Sequence, residues 1–252
     1  DIHVPERGVH EVRALTRAFN QMVRELNVDR EERRDLLADV THELRTPLTV
    51  IQGEIEGMID QVYPRDDAHL QVLLLETQRM SAVVEDLRTL SLADHGALQI
   101  RKELTDLIQL VSETLASFRA QADANGVELT LKSTDPSITM YFDPLRMRQV
   151  ISNLLTNAMR YTEKGDHILV CIEPLGAERT IIEVLDSGAG IQPDDLPHVF
   201  DRFYKSVDST GSGLGLAITK KLVEAHEGLI DVESEFGSWT RFRIELPTQH
   251  SV

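Results

Sequence analysis

The chain has 252 residues, 41% of them hydrophobic, which is enough to bury a core and to form two modules. Asp and Glu number 42 against 26 Lys and Arg, so the formal net charge is -16 and nucleic acid is not an expected partner. The single cysteine, Cys171, cannot form an internal disulfide. No stretch approaches the roughly 18 consecutive apolar residues of a membrane helix, so we expect this polypeptide itself to be soluble.

The N-terminal part of the chain has the apolar spacing of paired helices. From Val12 to Leu26 the apolar residues recur in steps of three and four, which is typical of a coiled-coil seam. The charged run 29–35 interrupts the seam, and a second apolar series restores it. That series consists of Leu37, Val40, Leu44, Leu48, Ile51 and Ile55.

A turn signal at YPRDD, residues 63–67, separates this segment from a second one with the same pattern between Leu70 and Leu87. Two long helices joined by a short loop form an antiparallel hairpin. One hairpin has too few faces to enclose its own apolar stripe. The pattern therefore predicts a homodimer with a four-helix bundle.

The pattern changes near residue 100, where a mixed α+β domain is predicted to begin. A helix is expected over roughly 104–124, and further helices over 144–161 and 214–225. Between and after them lie short runs with the alternation of strands, which are VELTLKS, TMYF, HILVCIEP, TIIEVLD, GLIDVES and WTRFRIEL. We expect the helices to cover one face of the sheet.

The segment THELRTPLTV, residues 41–50, places a cluster of reactive side chains on the first helix. A single helical histidine is by default an ordinary solvated residue. Imidazole nevertheless accepts a phosphoryl group when one ring nitrogen can attack and a hydrogen bond holds the other. Glu43 can provide that bond to His42 and act as a base, and Thr46 lies one turn further along the same face. Pro47 removes a backbone donor, so we expect the helix to bend here.

Two glycine-rich runs and one asparagine pair occur in the second module. DSGAGI, residues 186–191, follows an apolar strand, and GSGLGLAITKKLVEAH, residues 211–226, runs into a helix. Either run alone could form turns. Together they indicate a nucleotide, because free N–H groups at a helix N-terminus favour phosphate. NLLTNAMRYT, residues 153–162, places two asparagine amides on one helical face, where they can face a cation between phosphates.

These segments resemble, in order, the five boxes of the sensor histidine kinases of two-component systems. THELRTPL resembles the H box, NLLTNAMRYT the N box, DSGAGI the first glycine box, FDRFYK the F box and GSGLGLAI the second glycine box. P-loop, Rossmann and serine/threonine kinase motifs are absent from the sequence. The resemblance covers about residues 9–247. It implies a dimeric antiparallel four-helix bundle followed by an α/β-sandwich ATPase domain of the histidine kinase, gyrase and chaperone type.

The resemblance also implies domain boundaries and a missing upstream part. VHEVRALTRAFNQMVREL resembles the second helix of a HAMP module, so the chain is expected to be the cytoplasmic part of an inner-membrane sensor. We expect 1–30 to be the end of HAMP and the signalling helix, 31–97 the dimerisation and phosphotransfer hairpin, and 98–252 the ATP-binding catalytic domain.

In the helical hairpin, the resemblance makes His42 the phosphoacceptor, Glu43 its base and Thr46 a residue for dephosphorylation of the response regulator. In the catalytic domain, Asn157 would ligate Mg²⁺ and Asp186 would accept the amino group of adenine. The full set expected to bind Mg-ATP is Asn153, Asn157, Arg160, Tyr161, Asp186, Gly188, Gly190, Lys205, Gly211, Gly213, Leu214, Gly215 and Leu216.

Two features of this set have mechanistic meaning. Lys205 stands where many relatives carry a lid arginine, and only SVDST separates it from Gly211, so the lid is short. Asn153 occupies the place that resembles a water-activating glutamate in the gyrase and chaperone ATPases. An amide cannot take a proton from water, so bound ATP is expected to wait for the histidine.

The expected function is therefore autophosphorylation of His42 by Mg-ATP and transfer to an aspartate in the receiver domain of a response regulator. A stand-alone ATPase or chaperone of the same fold and a catalytically silent dimeric scaffold are the alternatives. The sequence leaves open the stimulus, the regulator, and whether phosphorylation occurs within one protomer or across the dimer.

Overall fold

The structure, a computed structural model, describes residues 10–176, 178–205 and 211–248. The chain divides into two compact units between Val83 and Val84, a position inside the second helix. A helical region is thus followed by an α/β domain, as predicted. The first nine residues of the expected HAMP segment and the lid SVDST lie outside the described residues.

Two long helices form the N-terminal part. Helix α1, His10–Ile59, joins both predicted apolar series into one helix and continues through Pro47, and helix α2 is Asp67–Asp94. Thus neither the charged run nor the proline ends the helix, and the bend stays a prediction. None of the described helices is both long enough and apolar enough to span a bilayer.

The connection between α1 and α2 is compact. The amides of Val62 and Tyr63 donate to the carbonyl of Gly57 at 2.8 and 3.0 Å. The ring of Tyr63 fills the space that a side chain at position 57 would need, and it stacks on His69 at 5.2 Å between ring centroids. The predicted turn is thereby confirmed, and a side chain at position 57 would have to displace the ring of Tyr63.

The α/β unit contains a mixed five-stranded sheet in the order β2-β4-β5-β7-β6, in which β2 and β4 are parallel and the other pairs antiparallel. A separate antiparallel pair joins β1 and β3. The strands are β1 Glu103–Asp106, β2 Glu128–Ser133, β3 Thr139–Phe142, β4 His167–Leu175, β5 Arg179–Asp186, β6 Leu229–Glu235 and β7 Trp239–Pro247.

Three helices pack against one face of the sheet, as expected. They are α3 Leu107–Asn125, α4 Pro144–Tyr161 and α5 Gly215–Ala225. Alternate residues of each central strand, such as Ile168, Val170 and Ile172 in β4, are almost fully buried on that face. Burial of this apolar face against the helices is the main stabilising contribution.

The third helix begins later than predicted. Residues 104–106, which the sequence placed at its start, belong instead to β1 and pair with β3. The Asp106 side chain accepts hydrogen bonds from the amides of Ile108 and Gln109, which caps the helix at Leu107. A long-range strand pairing therefore overrides the local helical pattern.

Asp143 anchors the start of α4. Its Oδ1 accepts from the Arg146 amide at 3.1 Å, and its Oδ2 accepts from the Arg101 amide at 2.9 Å. Its own amide donates to Nε2 of the buried His226 at 3.1 Å. One buried residue thus joins three segments: its carboxylate bonds the segment after α2 and the start of α4, and its backbone amide bonds the end of α5.

We predict that Asp143→Ala lowers the free energy of unfolding of the α/β unit by about 2–3 kcal/mol, because it removes a helix cap and leaves the Arg101 amide unpaired. Urea unfolding followed by the fluorescence of Trp239, the single tryptophan, measures this unit. Asp135→Ala, at an exposed position, is the matched control and should change the value by less than about 0.5 kcal/mol. Equal unfolding curves for the two variants would contradict the role of Asp143.

Candidate nucleotide site and phosphoacceptor segment

The phosphoacceptor candidates occupy one turn of α1. His42 and Thr46 are exposed, whereas Glu43 is half-buried. The Thr46 hydroxyl lies 3.5 Å from the carbonyl oxygen of His42, at the outer limit of a hydrogen bond. The imidazole is therefore accessible, and the threonine hydroxyl is held only weakly by the helix.

The two asparagines of the N box lie on α4, as predicted, and both are half-buried. The Asn153 Nδ2 donates to the carbonyl of Gly215 at 3.0 Å and lies 3.4 Å from Oγ1 of Thr219. The structure thus joins the N box to the second glycine run through the first turn of α5.

The first glycine run lies against the end of α4. The amide of Ala189 donates to the carbonyl of Tyr161 at 3.0 Å, and the same carbonyl leaves no space for a side chain at Gly188. Gly190 has φ +66° and abuts the carbonyl of Glu235. Both glycines are needed here, one for close backbone approach and the other also for its left-handed conformation.

Asp186 ends β5 with its side chain on the helix-covered face, and only 2% of the residue is exposed. Burial raises the pKa of the carboxyl to about 6, although the Gly188 amide, which donates to Oδ1 at 3.1 Å, favours the ionised form. Such a carboxylate can accept a hydrogen bond from an amino group, and protonation removes the charge that strengthens this bond and adds an O–H donor.

The second glycine run meets both the N box and the F box. The Arg160 guanidinium occupies the space that a side chain at Gly211 would need. The Phe203 amide donates to the carbonyl of Gly213 at 3.0 Å, and Gly213 has φ +71°. Leu214 is fully buried just before α5. The predicted phosphate-binding residues on α4 and in this run are therefore neighbours.

The remaining residues expected to bind the nucleotide share one degree of burial. Tyr161, Lys205, Gly215 and Leu216 are half-buried, and Lys205 precedes residues 206–210, which lie outside the described part of the chain.

Sequence reasoning missed two contacts. Arg202, in the F box, donates to both carboxylate oxygens of Asp94 at 2.6 Å, and Thr219 contacts the N-box asparagine. The F-box motif pointed to the neighbourhood of Arg202, but nothing local could indicate a partner 108 residues away.

Comparisons with known families agree with this geometry. Residues 32–96 match the His Kinase A (phospho-acceptor) domain. Residues 142–250 match the Histidine kinase-, DNA gyrase B-, and HSP90-like ATPase. The first range contains the H box, and the second contains the N, F and glycine boxes.

Individual relatives are also histidine kinases or sensors. The sensor protein SrrB of Staphylococcus aureus is 38% identical over 235 residues, which is 90% of this chain and 40% of SrrB. This chain therefore spans about 40% of the length of that curated relative. The solved structure of Acinetobacter baumannii histidine kinase AdeS is 34% identical, with a TM-score of 0.71 over 83% of this chain and 98% of that one.

A crystal structure of histidine kinase ThkA in complex with response regulator protein TrrA has the same fold, with 22% identity and a TM-score of 0.68 over 89% of this chain and 66% of that one. From the two domain matches and the likeness to almost the whole AdeS chain, we conclude that this chain belongs to the sensor histidine kinases.

Proposed function

We propose that the chain transfers the γ-phosphoryl group of Mg-ATP to His42 and then to an aspartate in the receiver domain of a response regulator. One observation carries this proposal: an exposed histidine beside a glutamate lies in the same chain as a buried carboxylate and two glycine runs that pack against the end of one helix. In the first step a ring nitrogen of His42 attacks the γ-phosphorus. The bond to the β-γ bridging oxygen breaks, ADP leaves, and Glu43 takes the ring proton.

The base of the nucleotide is read at the end of β5. The Asp186 carboxylate accepts the amino group of adenine, while Gly188 and Gly190 let the backbone approach the ring closely. Tyr161, whose carbonyl already bonds the first glycine run, packs on the base. This arrangement selects adenine because guanine presents an oxygen where Asp186 needs a donor.

The phosphates are bound where α4 meets the second glycine run. Arg160 lies against Gly211 and supplies positive charge, and the free N–H groups at the start of α5 favour anions. Gly211, Gly213, Leu214, Gly215 and Leu216 form this end of the site, and Lys205 adds a cation at the edge of the lid. Asn157 would hold Mg²⁺, since an amide oxygen is a ligand that this ion accepts and the metal neutralises phosphate charge when it is bound.

The two alternative functions fit the chain less well. A stand-alone ATPase needs a base for water, and Asn153 is an amide whose donor group already bonds Gly215. A silent scaffold would have no use for a site in which the N, F and both glycine boxes converge. The matched phosphoacceptor domain gives the bound ATP an acceptor in the same chain.

The partners follow from the helical unit and from the family. Large apolar side chains are exposed on α1 and α2, among them Leu37 at 67% and Leu74 at 58%. A second copy would cover them in a four-helix bundle. The receiver domain would dock on that bundle near His42. We further propose that the parent protein is a membrane-bound sensor and that this chain lies on its cytoplasmic side, which the likeness to sensor protein SrrB supports.

We predict that His42→Ala abolishes incorporation of label from γ-labelled ATP. The ATP affinity should change less than about twofold, because the proposed nucleotide-binding residues do not include the phosphoacceptor histidine. The label on the unaltered chain should be acid-labile and alkali-stable, as expected of a phosphohistidine. His95→Ala removes another exposed imidazole, in the turn that follows α2, and should retain labelling. Similar label on His42→Ala and the unaltered chain would reject the assignment.

We predict that the preference for ATP over GTP is about a hundredfold above pH 7 and narrows as the pH falls through about 6, the pKa of Asp186. Protonation removes the negative charge that strengthens the bond from the adenine amino group, and it adds an O–H donor that can bond the guanine oxygen. Competition binding experiments across this pH range measure the ratio of the ATP and GTP affinities. Both nucleotides carry the same triphosphate, so its own protonation affects the two affinities equally and leaves the ratio unchanged. Asp186→Asn is the control and should give a small, pH-independent ratio. A constant large ratio would show that Asp186 does not read the base.

We predict that Thr46→Ala retains most autophosphorylation but loses dephosphorylation of the regulator by about tenfold or more, because the hydroxyl can hold the attacking water. Both rates are measured on the same variant. Thr49→Ala is a matched control, since the Thr49 hydroxyl also bonds back along the helix, to the Arg45 carbonyl at 2.9 Å. If the two rates fall in parallel in Thr46→Ala, the residue serves only the helix.

A further inference from the structure

Helix α5 begins without the usual capping side chain. Its N-cap residue is Leu214, which makes no side-chain hydrogen bond and is fully buried. The side-chain oxygen of a Ser, Thr or Asp at this position would bond one of the first free N–H groups. Those groups are therefore left for another acceptor, but the helix start must be held in place by something else.

The anchor is a donor that reaches the first carbonyl of the helix instead of its N–H groups. Nδ2 of Asn153 donates to the Gly215 oxygen at 3.0 Å, and the Thr219 hydroxyl donates to the same oxygen at 2.8 Å. The carbonyl is only an acceptor, so Asn153 must present its NH₂ group and not its oxygen.

We infer that Asn153 is a positioning residue for the triphosphate, which acts as a hydrogen-bond donor to Gly215 and not as a ligand of Mg²⁺. The inference rests on the proposed binding of ATP. By holding the start of α5 through a carbonyl, Asn153 fixes the direction of the N–H groups in the first turn without itself occupying any of them. A conventional cap would compete with the nucleotide for the same groups.

This role and a metal-ligand role make opposite predictions for one substitution. In Asn153→Asp a carboxylate would face the Gly215 carbonyl, so a donor–acceptor attraction becomes a repulsion between two acceptors. For a magnesium ligand the same change would be an improvement, because a carboxylate binds this ion better than an amide does. The sign of the change in affinity therefore separates the two roles.

The test measures binding of ATP with Mg²⁺, ATP with EDTA, and adenosine to the intact chain. Asn153→Asp should weaken ATP binding by about tenfold or more, by a similar factor with and without Mg²⁺, and leave adenosine binding unchanged. Asn153→Ala should weaken ATP binding less, because it removes the donor without adding a repulsion. A loss that extends equally to adenosine would indicate a general structural defect and overturn the inference.

Two further variants keep the test decisive if Asn153→Asp does not fold. Thr219→Val removes the second donor to Gly215 and should weaken ATP binding by a similar factor with and without Mg²⁺. Thr219→Ser keeps the hydroxyl and should bind ATP as tightly as the unaltered chain. Asn157→Asp serves as the contrast, with a change that depends on Mg²⁺.

Failure of the inference can be told apart from failure of the proposed function. If the unaltered chain does not bind ATP, the proposed function is wrong and the inference falls with it. If the unaltered chain binds Mg-ATP and Asn153→Asp binds it equally well or better, only the positioning role is wrong.

Discussion

The packing of α4 into the core is the constraint on which the nucleotide site depends. One face of this helix is completely buried, with Met147, Val150, Ile151, Leu154 and Leu155 at 0% exposure. An α-helix repeats every 3.6 residues, so fixing that face also fixes the direction of Asn153 and Asn157 on the adjoining face. The first glycine run, the second glycine run and the start of α5 all contact α4 residues.

The glycines at this site allow neighbouring segments to approach closely. At Gly188, Gly211 and Gly213 a methyl group would collide with the Tyr161 carbonyl, the Arg160 guanidinium and the Phe203 backbone. The runs can therefore lie close to the end of α4 and to the F box. In a chain with a net charge of -16, the proposed binding of a polyanion through oriented N–H groups and a few placed cations would avoid the need for a broadly basic surface.

The two candidate regions, around His42 and around Asp186, depend on the fold to different degrees. Around His42 the structure needs little more than one exposed helical turn, because neighbours at i+1 and i+4 are set by the helix itself. Asp186 instead depends on the tertiary structure, since burial against the helices raises its pKa while the Gly188 amide stabilises the charge. An isolated DSGAGI segment could form the local bond from Gly188 but would not bury the carboxyl.

The sequence by itself determined the elements with a strong local period and the segments that carry the chemistry. Periodicity predicted α4 over 144–161, the alternating strands and the helix-covered sheet, and the order of the boxes indicated the family that the comparisons confirm. These features could be predicted because helix and strand periods, and motif spacing, are local properties of the chain.

Only the tertiary structure decided the strand order, the pairing of 103–106 with β3, and the partners of particular side chains. Asn153 and Gly215 are 62 residues apart, and Asp94 and Arg202 are 108 apart. The sequence could show that Asn153 shares a helical face with Asn157, but not that its amide donates to α5. Such contacts depend on how separate elements pack. A motif could therefore indicate where the site lies, but only the fold shows which residues its side chains contact.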